Sequence, residues 1–444
     1  MRRSVLVAGL MTAVLGAGVP AFAQFQPPRH RGERPQRGLF GSGMSGAEQS
    51  LALNVSFGAG YDNDLLGQAT GSSAPLGPRG VGQFGFASAS LGYSVAKDSV
   101  TASANVGGTS QYYPQMEDPN MSSFSAGMQV SWQAAKRTSL SASTGFAYSP
   151  NSLHSLYGLP VDAERPPDSS DMLNYAISGS AFSDWRTSAS ISQGLTEKLS
   201  ATAGYTFYAV VYNDQQSNYA AHSVMGRLTY QISKSLGAYA GYGRTRTDYE
   251  TERLDGGYGG RTIDAGVSFG EAVSLTRRTS LSFGTGVSGV DYAGETSYAF
   301  TGHVQVGHEL GRSWTLTAQA QRFLSFYQTF GDPVVGSSAS GGVSGLLNRR
   351  IQFGAQGGWS SGTVGVSHLV PQFDSWTVGA SLRVATSRNT GLSFSYAFFD
   401  YVFDDNGAPL PFGTQPQMRN QSARVTFDLM VPLITVARRA NASR

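Results

Sequence analysis

The stretch TRRTSLSFGTGVSGVDY, residues 276–292, opens on a basic turn at Arg277 and Arg278 and then alternates strictly. Leu281, Phe283 and Val287 fall on one side, Ser280, Ser282, Gly284, Gly286 and Ser288 on the other, and the run closes on Tyr292. Successive strand side chains point to opposite faces, so this period of two predicts a strand with one apolar and one small polar face. The phrase recurs as KRTSLSASTGFAYS (136–149), TEKLSATAGYTFYAVVY (196–212), SKSLGAYAGYGRTRTDY (233–249), GRSWTLTAQAQRFLSFY (311–327) and NRRIQFGAQGGW (348–359). The chain is a series of hairpins.

Charged residues make up 14% of the 444, and glycine numbers 56. A soluble domain carries roughly 25% charge and 7% glycine, so the usual water-facing surface is missing. Past the N-terminus no apolar run approaches the ~18 residues of a membrane helix. A membrane chain without helices satisfies its backbone by closing strands into a barrel.

Residues 1–23 predict a secretory signal peptide: Arg2 and Arg3, an apolar run over 5–19, and Ala21-Phe22-Ala23 before Gln24. Residues 24–50, rich in Pro, Gly and Arg, predict a disordered basic periplasmic segment that cannot bury a core. The barrel is expected over 51–434 and a short basic periplasmic tail over 435–444. With no cysteine there is neither disulfide nor lipoprotein anchor. The address implied is the outer membrane of a Gram-negative bacterium, reached by the general secretory route.

Turn signals divide the barrel into about eighteen strands in nine hairpins, with sixteen as the alternative. Short connections near 96–98, 135–137, 233–235, 276–278, 311–313 and 348–350 alternate with longer ones such as 151–173 and 404–419. Bacterial barrels have short periplasmic turns and longer outside loops, which sets the orientation. A descending strand is expected from near Asn174. Tyr61, Tyr113, Tyr148, Tyr212, Tyr249, Tyr292, Tyr327, Trp359 and Tyr401 then stand where an outer interfacial girdle belongs, and Tyr93, Trp132, Tyr230 and Trp314 suit the inner one.

Two enzymatic motifs occur by chance. Gly284, Gly286 and Gly289 spell GxGxxG with no helix to follow, and Ser268 sits in GxSxG inside an alternating strand. The histidines form no triad or metal-ligand spacing. No enzyme, cofactor or metal is expected.

The polar face of the strands is neutral: Thr101, Ser103 and Asn105; Ser139, Ser141 and Ser143; Thr315, Thr317, Gln319 and Gln321; Gln352 and Gln356. On parity the inward charges are Asp184, Arg186, Arg227, Asp264, Glu309, Arg383, Arg424 and Asp428, without opposed acidic and basic rows. Such a wall suits a polyhydroxylated solute, which exchanges one weak hydrogen bond for another. A basic periplasmic mouth is expected at Lys97, Lys136, Arg137, Lys198, Lys234, Arg277, Arg278, Arg312, Arg349, Arg350 and Arg388, with Asp62, Asp64, Asp404 and Asp405 among the acidic residues at the outer mouth.

The opening LNVSFGAGYDNDLLG (53–67), followed by roughly forty-residue hairpins of turn, Lys or Arg, Ser or Thr, Leu, Ser, small alternating residues and Tyr, resembles the outer-membrane β-barrel porin family of the β-barrel porin 2 type. Some relatives of that family are associated with exopolysaccharide export. The resemblance implies passage of polysaccharide, with a general small-solute porin and a structural or adhesive barrel with a filled lumen as alternatives. Expected partners are outer-membrane lipid and lipopolysaccharide, the barrel assembly machinery and periplasmic polysaccharide export proteins, but no nucleic acid. The last strand departs from the pattern, running on into TVARRANASR without a terminal aromatic.

Overall fold

The computed structural model describes residues 38–42, 47–63, 82–97, 99–114, 120–150, 181–213, 218–233, 236–250, 258–269, 279–292, 295–311, 313–326, 333–364, 372–404 and 417–437. The expectations for the signal peptide, the strand start at Asn174, the loop over 151–173, and Lys234, Arg277, Arg278 and Arg312 lie outside these residues.

The strands are β1 (Ala47–Asp62), β2 (Gly82–Lys97), β3 (Val100–Tyr112), β4 (Asn120–Ala135), β5 (Thr138–Ser149), β6 (Phe182–Gly194), β7 (Leu199–Tyr212), β8 (Asn218–Gln231) and β9 (Leu236–Glu250). They continue as β10 (Tyr258–Phe269), β11 (Thr279–Tyr292), β12 (Glu295–Leu310), β13 (Trp314–Phe326), β14 (Pro333–Leu346), β15 (Ile351–Val364), β16 (Gln372–Ala385), β17 (Thr390–Asp404) and β18 (Gln417–Ala437). Each pairs antiparallel with its sequence neighbours, and β1 pairs with both β2 and β18, so an eighteen-stranded sheet closes on itself. Closure removes every edge that would present unpaired backbone to lipid.

The barrel is longer than the sequence suggested. β1 begins at Ala47, ahead of residue 51, and β18 runs to Ala437, past residue 434. Ala47 pairs with Ala437, so each extension supplies the other's hydrogen bonds.

The alternation of the repeated phrase becomes the two faces of the wall. In β11 Phe283 is 41% exposed on the outside while Ser282, its neighbour, is 7% exposed on the inside. The outward face carries an apolar coat that includes Phe57, Leu91, Phe124, Phe146, Ile191 and Val425. This is the surface that hydrocarbon requires of a transmembrane barrel.

Four of the short turns use one device. In the connections that begin at 195, 232, 347 and 386 the second residue is Thr196, Ser233, Asn348 or Ser387. Its side-chain oxygen accepts from the backbone N–H three residues on, at Leu199 (2.9 Å), Leu236 (3.1 Å), Ile351 (3.0 Å) and Thr390 (3.0 Å). A short polar side chain thereby holds each turn and starts the next strand.

Two sequence expectations about the outer end need correction. Tyr61, Tyr148 and Trp359 share the outward parity, but Tyr113 and Tyr401 fall on the other parity and are buried inside. Tyr112, one residue earlier, is the exposed one, because a shift of one residue along a strand changes face. Asp62 belongs to no solvated acidic rim: it ends β1 with its side chain buried.

Candidate functional site: the barrel lumen

The inner half of the lumen is hydroxyl-rich. Register places Ser141 opposite Ser190, Thr202 opposite Arg227, Gln305 opposite Gln319 and Gln352 opposite Arg383 on the inward face. Neighbouring strands exchange hydroxyl bonds there, Ser141 Oγ with Ser190 Oγ at 2.7 Å and Thr202 Oγ1 to Ser192 Oγ at 3.2 Å, and farther from the short turns Thr245 Oγ1 donates to Ser223 Oγ at 3.1 Å. A hydroxyl so engaged still has lone pairs for a passing solute.

The outer half differs from the uniform neutral wall expected from sequence. Phe84, Tyr113, Val210, Phe323, Phe373, Phe399 and Tyr401 point inward there and are buried, Tyr401 at 0% exposure. Tyr401 stacks between Phe373 and Phe399, with ring centroids 6.3 Å from each and interplanar angles of 14° and 8°. Phe84 lies 5.1 Å from Tyr113. The rings occupy notches: a Cβ on Gly60 would overlap Phe84, and one on Gly336 would meet Phe323 at 2.6 Å. The GxGxxG match has the same explanation at its first glycine, because a Cβ on Gly284 would overlap the Tyr239 hydroxyl.

Among the described residues, each of the four inward arginines lies over an aromatic ring. Arg186 is 4.8 Å from the Tyr208 centroid, Arg227 4.4 Å from Tyr239, Arg383 5.4 Å from Phe40, and Arg424 5.2 Å from Phe84 and 5.9 Å from Phe86. A ring face attracts a cation and shields one side from water. Arg383 also pairs with Asp428, Nε to Oδ2 at 3.4 Å, and bonds Ser393 Oγ at 3.1 Å. Asp428 accepts from Ser56 at 2.8 Å and from Ser393. Asp184 and Glu309 share the inward parity of their strands, opposite Val210 and Thr315. Asp264 holds a register position beside Gly241 and Gly286, in the row that contains Arg227. The eight charges are dispersed around the wall, and Arg383 pairs with Asp428.

The ring at Arg383 comes from the segment expected to be disordered. Residues 38–42 form a turn against the short-turn end of the barrel: Leu39 N–H donates to Arg349 O (2.6 Å), and Gly41 N–H, at φ 73°, to Arg388 O (2.9 Å). Between them Phe40 reaches Arg383 and approaches Gly391, where a Cβ would come within 3.4 Å of its ring. This corrects the expectation for 24–50 over these five residues. The signal available in the sequence was GLFGS, an apolar pair between glycines within an otherwise polar segment.

Of the basic mouth, Lys97, Lys136, Arg137, Lys198, Arg349, Arg350 and Arg388 stand at the ends of strands or in turns at this same end. Arg137 approaches Glu197 of the adjacent turn at 4.0 Å, with both side chains exposed. The others leave a ring of solvated positive charge around the mouth.

No protein-family model and no curated protein matches the sequence. Among solved structures, the chain is similar to OpdO of Pseudomonas aeruginosa (TM-score 0.43, 11% identity, covering 87% of this chain and 98% of that one). It is similar also to OccAB4 of Acinetobacter baumannii (0.41, 11%, 87% and 98%) and to the siderophore receptor PirA of P. aeruginosa (0.40, 10%, 86% and 80%). The barrel assignment rests on this chain's own strand pairing.

Proposed function

We propose that the protein is a passive outer-membrane channel for small, neutral, polyhydroxylated solutes. The observation that carries this reading is the hydroxyl and amide wall inside a closed barrel whose outer face is apolar. An eighteen-stranded barrel is wide enough to enclose an aqueous path. The wall offers many weak hydrogen bonds, and its inward arginines are each faced by a ring. Neutral solutes that carry both hydroxyls and C–H faces fit hydroxyl walls and aromatic ledges alike.

Export of a polysaccharide, which the sequence resemblance favoured, now ranks below small-solute passage. The buried inward aromatics stand at the end away from the short turns, which the turn-length reading makes the extracellular end, where a polymer would have to leave. The test is swelling of proteoliposomes that hold folded protein in glucose, sucrose or a dextran. Uptake is expected for glucose, more slowly for sucrose, and not for dextran. Entry of dextran would restore polymer export, and no uptake of any solute would make this a filled structural barrel, the reading that the buried ring would then support.

A further inference from the structure

The outward face of β12 to β16 holds a furrow of about 550 Å³, within the roughly 300–1,000 Å³ of small-molecule sites. Its floor is built from Ala318, Ala320, Ala339, Gly341 and Gly357, and its walls are Val304 and Val306 on one side and Trp359 and Trp376 on the other. Register explains the shape. One row across the five strands reads Val304, Ala320, Ala339, Trp359, Trp376, and the row on its periplasmic side reads Val306, Ala318, Gly341, Gly357, Val378. Bulky residues thus flank two small ones in the first row and three in the second. The row on the extracellular side is polar instead: Gly302, Arg322, Ser337, Ser361, Asp374. Arg322 is exposed there and has no ion pair among the described residues, whereas the Asp374 carboxylate at the far end accepts from Trp359 Nε1 at 2.7 Å.

An apolar trough that ends at an unpaired cation on a lipid-facing surface complements a molecule with a long apolar tail and an anionic head. We propose that the furrow binds one phosphorylated glycolipid of the outer leaflet, with an acyl chain along the alanine and glycine floor and a phosphate on Arg322. The proposal rests on the outer-membrane reading above, because the polar row lies on the side away from the short turns. A second copy of this chain is a poorer occupant. Its flat apolar wall would leave the trough empty and would strip water from Arg322 without giving it a partner.

Native mass spectrometry of detergent-purified protein with added lipid A tests this, alongside Arg322→Ala and Gly357→Leu. A Cβ on Gly357 meets only Thr377 O, at 3.6 Å, so the leucine side chain is accommodated by the wall and fills the trough. One lipid A is expected on the wild type. Either substitution should weaken it about tenfold, the size of a lost charge-assisted hydrogen bond. Dephosphorylated lipid A on the wild type should match lipid A on Arg322→Ala. Equal retention by all three proteins overturns the proposal, as does retention of phosphatidylethanolamine as strongly as lipid A. So does a Gly357→Leu protein that loses an oligomer instead of a lipid, which would mark a copy-to-copy interface. Should Gly357→Leu not fold, Arg322→Ala alone decides. Solute uptake by the wild type is read separately, so failure of the channel reading and failure of the lipid site remain distinguishable.

Discussion

At the scale of single residues, face is the property that matters, and Ser282 and Phe283 test it directly. Phe283→Arg puts a charge into hydrocarbon and is expected to cost about 2–4 kcal/mol near the bilayer midplane. Ser282→Arg faces the lumen and should cost much less, as measured by urea unfolding of the detergent-refolded barrel; equal losses would mean that the register is wrong. This parity was legible in residues 276–292 because alternation is a local property. The inward rings were not: Tyr113 and Tyr401 end their strands like the outward Tyr61, and only counting face by face separates them. The arginine and ring pairs were beyond reach for a different reason, since Arg424 and Phe84 lie on strands separated by β1 and meet only when the sheet closes. At the Arg383–Asp428 pair, Asp428→Asn leaves the arginine without its counter-ion. Reversal potentials in planar bilayers should then shift toward anion preference, most clearly at low salt, and an unmoved potential would place the pair off the conducting path.

Turns and termini act as elements. Asn348→Ala and Ser387→Ala each remove an oxygen that bonds two backbone N–H groups, those of Arg350 and Ile351 and those of Asn389 and Thr390. Each substitution should cost about 1 kcal/mol, read as a lower urea midpoint with an unchanged slope. The basic ring should act collectively and at long range, because the Debye length is about 8 Å at physiological ionic strength. Charge reversal of Arg349, Arg350 and Arg388 to Glu is expected to increase cation preference at low salt and to leave assembly intact. No change in selectivity would reduce the ring to solvated turn residues. Short turns and strand number could be read from sequence because each hairpin carries its own punctuation. The docking of residues 38–42 could not, because its acceptors, the carbonyls of Arg349 and Arg388, lie in turns distant in the chain.

At the scale of the whole molecule, closure makes the barrel resistant. Folded protein kept cold in SDS should migrate differently from boiled protein, since no edge is open to fraying; identical mobility would contradict a closed barrel. The same seam has a consequence in time. Ser56 donates to Asp428 across 372 positions of sequence, and the β1–β18 ladder consists entirely of such distant pairs. Each hairpin can form as soon as its two strands exist, but the seam must wait for the last strand of the chain to arrive. Contacts this distant are slow to make because the loop-closure entropy is lost before the ladder forms. Until then β1 has one bare edge, and a chain truncated before Gln417 should never close, accumulating as a species that is sensitive to protease and unaltered by boiling.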